Sequence, residues 1–260
     1  MLAQVNQERV VTAEVTCANG MPAFLARPAG PGPCPVMVVL HERYGLQDHQ
    51  RDMSIRFAAE GTAAVAPNLF FREPDLDAIA RAEARAEVSD DQVNRDLDAA
   101  LDYVGANVPG ADLSKVAVAG FCQSGRWPIA FSAVPGARIA AVVVFHGAAY
   151  KREWTLNAEK TIPYDELIAR SKIPVFGAFG EKDALIARED VLRFRQSLEA
   201  ANRSYEIAIY PDAPHSWLNH RIEAWREPQA EAAWSALRAF LERVHGGGYP
   251  ADRVRWSFSG

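Results

Sequence analysis

The chain is poor in cysteine. Its 260 residues include three, Cys17, Cys34 and Cys122, and no Cys-x-x-Cys. An odd, unclustered set supports neither a disulfide framework nor a zinc ribbon, so no metal is expected, and a reducing, cytoplasmic setting is the expectation. Excess positive charge is lacking as well. Lys and Arg total 28 against 33 Asp and Glu, a net charge of −5. A nucleic-acid partner needs a basic surface to neutralise phosphate, so none is expected. Long hydrophobic runs are also missing. The longest, Ile139 to Phe145, has seven residues, far short of the ~20 that cross a bilayer. The first residues, MLAQVNQERVV, show no basic-then-apolar leader pattern. No membrane association is expected, and no internal repeat or low-complexity block stands out.

What is present is an ordinary globular balance, 49% apolar and 23% charged. A chain of this length can bury ~70–75% of its unfolded surface. Short apolar runs alternate with longer amphipathic stretches. Val36–Leu40, Thr62–Ala66, Lys115–Ala119, Ile139–Phe145 and Ile173–Phe179 read as strands buried on both faces, the mark of a parallel sheet covered by helices. Helices are expected at Gln50–Glu60, Gln92–Asn107, Arg188–Ala201 and Glu227–Val244. In the second, Val93, Leu97, Ala100, Leu101 and Val104 form one apolar stripe. Arg9–Thr16 and Met21–Arg27, joined through Asn19-Gly20, read as an antiparallel hairpin. The pattern is α/β, with a mostly parallel central sheet, an N-terminal antiparallel hairpin and helices on both faces. One domain is expected over residues 1–246, with a tail at 247–260 whose Trp256 and Phe258 dock on the body or on another subunit. A monomer or small homo-oligomer is expected.

The decisive stretch is Val116–Trp127. A buried strand runs into Gly120-Phe121-Cys122-Gln123-Ser124-Gly125, followed by an expected helix to Val134. This is a variant of the G-x-S-x-G nucleophile elbow, with cysteine in the serine position and Ser124 where the motif has glycine. A thiol at a helix start feels the positive end of the backbone dipole, which favours thiolate. The Gln123 N–H would face the same spot and could stabilise an oxyanion. Cys17 and Cys34 read as ordinary small apolar residues.

An elbow of this type calls for an acid after a later strand, then a histidine in a loop before the last helix. Asp183 follows the strand at Phe176–Phe179, 61 residues after Cys122, and His215 follows the strand Tyr205–Tyr210, 32 residues further on. Glu181 lies in the same turn as Asp183 and competes for the acid role. His146, His220 and His245 are the weaker candidates for the base, and His146 breaks the chain order. Trp217, two residues after His215, is taken as a substrate contact. His41-Glu42-Arg43-Tyr44-Gly45 directly follows the first parallel strand. Its fifth residue is Gly45, so it is no zinc-binding HExxH.

Gly120-Phe121-Cys122, His41-Glu42, Asp183 and His215 together resemble the dienelactone hydrolase family, carboxymethylenebutenolidases of the α/β-hydrolase fold, over roughly residues 8–245. The resemblance implies Cys122 as nucleophile with Asp183 and His215 as triad partners. It implies that Glu42 holds the resting thiol, and that the backbone N–H groups of Arg43 and Gln123 form the oxyanion hole. Pro67-Asn-Leu-Phe-Phe-Arg72 resembles the family's P-D-L-Y-x-R, whose arginine binds a substrate carboxylate, which assigns that role to Arg72. Two positions depart: Asn219 stands where the family prototype has a second carboxylate-binding arginine, and Ser124 replaces the elbow glycine. The expected function is cysteine-dependent hydrolysis of small lactones or esters through a thioester, with no cofactor. The alternatives are a non-catalytic small-molecule binder on the same fold and an esterase or thioesterase of other substrates. Only 27 residues separate the strands ending at 145 and starting at 173, too few for a large lid, so a small substrate is expected.

Overall fold

At the Asn19-Gly20 turn, Gly20 takes φ +83°, the left-handed region that glycine enters without steric cost. The strands either side, β1 (Val10–Thr16) and β2 (Pro22–Pro28), pair antiparallel with Val10 opposite Pro28 and Thr16 opposite Pro22. The structure is a computed structural model that describes residues 9–250 and 252–260. It divides into two compact units, one ending at Val118 and the other beginning at Ala119.

In the first unit, β3 (Cys34–Val39) lies parallel to β4 (Ala63–Pro67), and β4 pairs antiparallel with β2. The strand order is β1-β2-β4-β3-β5, where β5 is Ala111–Phe121. β4 is buried throughout and β3 nearly so, which is why both read as continuous apolar runs rather than alternating ones. Among the described residues this unit holds the helices α1 (Asp48–Ala59), α2 (Leu76–Ala80) and α3 (Asp90–Asn107). The α3 stripe buries Val93, Leu97, Ala100, Leu101 and Val104, as its spacing predicts. Ser89 caps α3, its side chain accepting from the Gln92 N–H.

In the second unit, the end of β5 turns into a 3-10 segment, Cys122–Arg126, and then α4 (Trp127–Ser132). Strands β6 (Ala141–Phe145), β7 (Val175–Gly180), β8 (Tyr205–Tyr210) and β9 (Trp256–Ser259) follow in that order, all parallel. Helices α5 (Tyr164–Arg170), α6 (Arg188–Ala200) and α7 (Glu227–His245) complete it. α7 buries Ala230, Ala233, Trp234, Leu237, Phe240 and Leu241, one face at helical spacing. Each large side chain on that face contributes ~1.5–3 kcal/mol. The tail docks on the body: β9 pairs with β8, Tyr205 opposite Trp256 and Ala208 opposite Ser259. This is α/β architecture, mostly parallel with an N-terminal antiparallel hairpin. Loops at the C-terminal ends of β6, β7 and β8 carry the polar residues that matter next, as is general for open parallel sheets.

Candidate active site

Cys122 sits at φ +51°. That conformation is strained for a residue with a Cβ and persists only where the surroundings enforce it. Here the enforcement is visible. The Phe121 N–H donates to Ser124 Oγ at 2.8 Å, and the same hydroxyl donates to the Phe121 carbonyl at 2.9 Å. A serine hydroxyl is both donor and acceptor, so Ser124 closes the turn that glycine closes in the motif. The turn also packs backbone against backbone on the loop after β6. A Cβ on Gly125 would lie 2.3 Å from the Ala148 nitrogen, and one on Gly147 would lie 2.6 Å from the Cys122 carbonyl oxygen.

Asp183 follows β7. One carboxylate oxygen accepts the Leu185 and Ile186 N–H groups at 2.8 and 3.1 Å; the other lies 2.7 Å from His215 Nδ1. Glu181 turns away, accepting the Asp212 N–H at 3.1 Å, so of the two carboxylates in this turn it is Asp183 that meets His215. His215 follows β8 in a loop with left-handed backbone at Asp212 and Ser216. Burial pulls its imidazole down, but the Asp183 carboxylate and the hydrogen-bonded Cys122 sulfur outweigh it and push the imidazole up to about 10. The structure thus brings Cys122, His215 and Asp183 into one network. His146, set aside on chain order, lies edge-on to the His215 ring at 4.9 Å.

Sequence reasoning missed Tyr150. Its hydroxyl lies 3.2 Å from Cys122 Sγ and 3.2 Å from His215 Nε2. An aromatic residue in the loop just after a buried strand, Phe145-His-Gly-Ala-Ala-Tyr150, was the available signal.

The Trp217 side chain, expected as a substrate contact, is fully buried and packs on the Tyr210 ring at 4.9 Å. Gln123, expected as an oxyanion donor, occupies the turn directly after Cys122.

Glu42, Arg43 and Arg72 belong to the first unit. Glu42 is buried, and its carbonyl accepts from His41 Nδ1 at 2.7 Å while the Leu69 N–H donates to His41 Nε2 at 3.0 Å. Those two bonds set the tautomer, and burial, opposed by Glu42, draws the imidazole down to about 4. His41 is therefore a neutral brace for the backbone at Glu42 and Arg43. The two terminal nitrogens of Arg72 hold the carboxylate of buried Asp96 at 2.7 and 2.9 Å, and Asn19 donates to the same carboxylate at 2.7 Å. The group expected to bind a substrate carboxylate already binds one of the chain's own. Burial, then Asp96, push the Cys17 thiol up to about 11, which keeps it protonated and unreactive. Among the described residues no group of three or more His, Cys, Asp or Glu is placed to hold a metal ion, and no helix is long and apolar enough to cross a membrane.

The sequence model of the dienelactone hydrolase family matches residues 21–245. The chain belongs to the dienelactone hydrolase family. It is 33% identical over 234 residues to the "Putative carboxymethylenebutenolidase" of Escherichia coli (strain K12), covering 88% of this chain and 84% of that one. It is 28% identical over 222 residues to a "Probable 2-oxo-3-(5-oxofuran-2-ylidene)propanoate lactonase" of Bradyrhizobium sp, covering 84% and 88%. Among solved structures it is similar to a "Putative Dienelactone Hydrolase from Klebsiella pneumoniae", with a TM-score of 0.78, 29% identity and coverage of 90% of this chain and 99% of the other. As a member of this family the chain is a carboxylic ester hydrolase.

Proposed function

We propose that this dienelactone hydrolase family member hydrolyses small lactones or esters through a thioester on Cys122. The observation that carries the reading is the sulfur of a strained elbow residue bonded to His215, which is bonded in turn to Asp183 at 2.7 Å. Asp183 keeps a proton on Nδ1, so Nε2 faces the thiol and takes its proton. The thiolate attacks the carbonyl carbon, and the oxyanion is met by the Gln123 N–H at the start of the turn. Collapse expels the ring or ester oxygen, which takes the Nε2 proton. Acylation removes the charge from sulfur, and with it one of the influences that raise the imidazole. His215 is then freer to act as base for the water that releases the acid. A thiolate is a good leaving group, so a substrate that expels a stabilised enolate suits this nucleophile. A small substrate fits the loop between β6 and β7, which among its described residues holds a one-turn segment, Lys151–Trp154, and the seven-residue α5.

Turnover of a panel of lactones and aryl esters by wild type and Cys122→Ala tests the reading. The variant should show no burst and no turnover above background. Substantial hydrolysis by it would sink the proposal.

A further inference from the structure

The triad leaves one contact unused. Tyr150 Oη is 3.2 Å from the sulfur and 3.2 Å from Nε2 of the base. We propose that Tyr150 is a catalytic residue whose hydroxyl donates to the Cys122 thiolate while accepting from the His215 imidazolium, so that it stabilises the charge-separated pair from which attack begins. The proposal rests on the reading of Cys122 as nucleophile.

Hydrogen-bond bookkeeping gives the hydroxyl this direction. Before proton transfer the thiol carries the proton and Nε2 a lone pair. In transfer the S–H bond breaks, the N–H bond forms, and the electron pair stays on sulfur. The product pair needs a donor to sulfur and an acceptor for Nε2–H. One phenol between the two supplies both at once, and a hydrogen bond to a charged partner is about twice as strong as a neutral one. Burial, then the neighbouring sulfur, raise the phenol well above its ordinary proton affinity, so it keeps the proton it must donate. The charged pair is thus favoured over the neutral pair, and the thiol–imidazole arrangement gains less from the same phenol.

The placement is built, not incidental. Both ends of the Tyr150 loop are clamped by the nucleophile turn itself. At one end Gly147 lies against the Cys122 carbonyl and Gly125 with no room for a side chain. His146 and Ala148 either side of it adopt left-handed backbone, at φ +38° and +60°. At the other end buried Arg126, four residues after Cys122, donates to the Glu153 carbonyl at 3.1 Å, while Lys160 holds the Glu153 carboxylate at 2.7 Å. Arg152 lies over the phenol ring, 4.2 Å from its centroid. A turn that sets the sulfur therefore sets the phenol with it.

The test compares Tyr150→Phe and Cys122→Ala with wild type. Iodoacetamide reads thiolate at Cys122, and single-turnover reaction with p-nitrophenyl acetate separates acylation from deacylation. Tyr150→Phe should be alkylated roughly ten- to a hundredfold more slowly at pH 7, the usual worth of a hydrogen bond to a charged group. Its alkylation profile should move to higher pH. Acylation should slow in parallel, whereas deacylation, in which sulfur carries no charge, should hold within about twofold. Replacing Tyr150 by 3-fluorotyrosine, the same shape but a stronger donor, should move the profile the opposite way. That arm also guards against a Phe variant that fails to fold. Unchanged profiles in both variants overturn the proposal. So does equal slowing of both steps without a shift in profile, which is the signature of packing alone. If Cys122→Ala still turns over substrate, the underlying assignment of the nucleophile fails instead.

Discussion

Asp183→Asn separates charge from shape at the triad. The Asp183 oxygen that does not touch His215 is pinned by the Leu185 and Ile186 N–H groups. An asparagine in the same place must keep its oxygen there, because turning the amide over forfeits both bonds at ~1 kcal/mol each. Its NH2 then faces His215 Nδ1, so the imidazole must present a lone pair on that side and carry its proton on Nε2. A protonated Nε2 on a neutral ring cannot take the thiol proton. The same change removes the carboxylate that opposes burial. The imidazole, held at about 10 in the wild type, should fall to its ordinary ~6.5 or below. The sign follows. In the wild type the imidazolium partner is present below the ordinary value and is lost only as pH rises through about 10. In the variant it is lost near neutrality. By comparison with other nucleophile–His–acid triads, kcat should drop ~10⁴-fold, about 5.5 kcal/mol. Steady-state hydrolysis across pH 5–10, with circular dichroism to show an intact fold, measures it. A loss of less than tenfold, or an unchanged pH profile, would refute the argument that Asp183 sets the tautomer and charge of His215.

Two further outcomes follow from the backbone contacts and from Arg72. Gly147→Ala pushes a methyl to 2.6 Å from the Cys122 carbonyl and 2.8 Å from Gly125 Cα, backbone on both sides. It should cost ~1–3 kcal/mol, lower Tm by roughly 3–10 °C and depress kcat, and a neutral thermal melt would contradict the close approach. Arg72→Met leaves buried Asp96 with Asn19 but without its charged partner, which should destabilise by ~1.5–3 kcal/mol and affect substrates with and without a free carboxylate alike. A KM rise confined to carboxylate-bearing substrates, with Tm unmoved, would restore Arg72 to the substrate.

The order of Cys122, Asp183 and His215 was legible because they follow β5, β7 and β8, and strands buried in the sheet announce themselves as apolar runs. The choice of Asp183 over Glu181 was not, because two residues of one turn differ only in which way the turn directs them. Tyr150 was illegible for a related reason: it meets partners 28 and 65 residues away, through a loop whose course depends on Gly147 and Arg126. Arg72 is a different case. A motif identified the residue but not its partner, since Asp96 lies on the buried face of α3 among apolar neighbours. Element edges also shifted where tertiary pairing extends a strand. β5 runs from Ala111 rather than Lys115, and β9 is too short and too exposed to register as an apolar run.

β9 has a bearing on handling the protein. β8 would otherwise present its outer backbone groups to any passing strand, a template for edge-to-edge aggregation. The last strand occupies that edge from Tyr205 to Ala208 and is fastened by side chains as well as by the ladder. The Trp256 indole donates to the Arg203 carbonyl at 2.9 Å, and Arg188 donates to the Gly260 carbonyl at 2.8 Å. Without Trp256–Ser259, Cys122, Asp183 and His215 would keep their places while the β8 edge stood open to pairing with another strand.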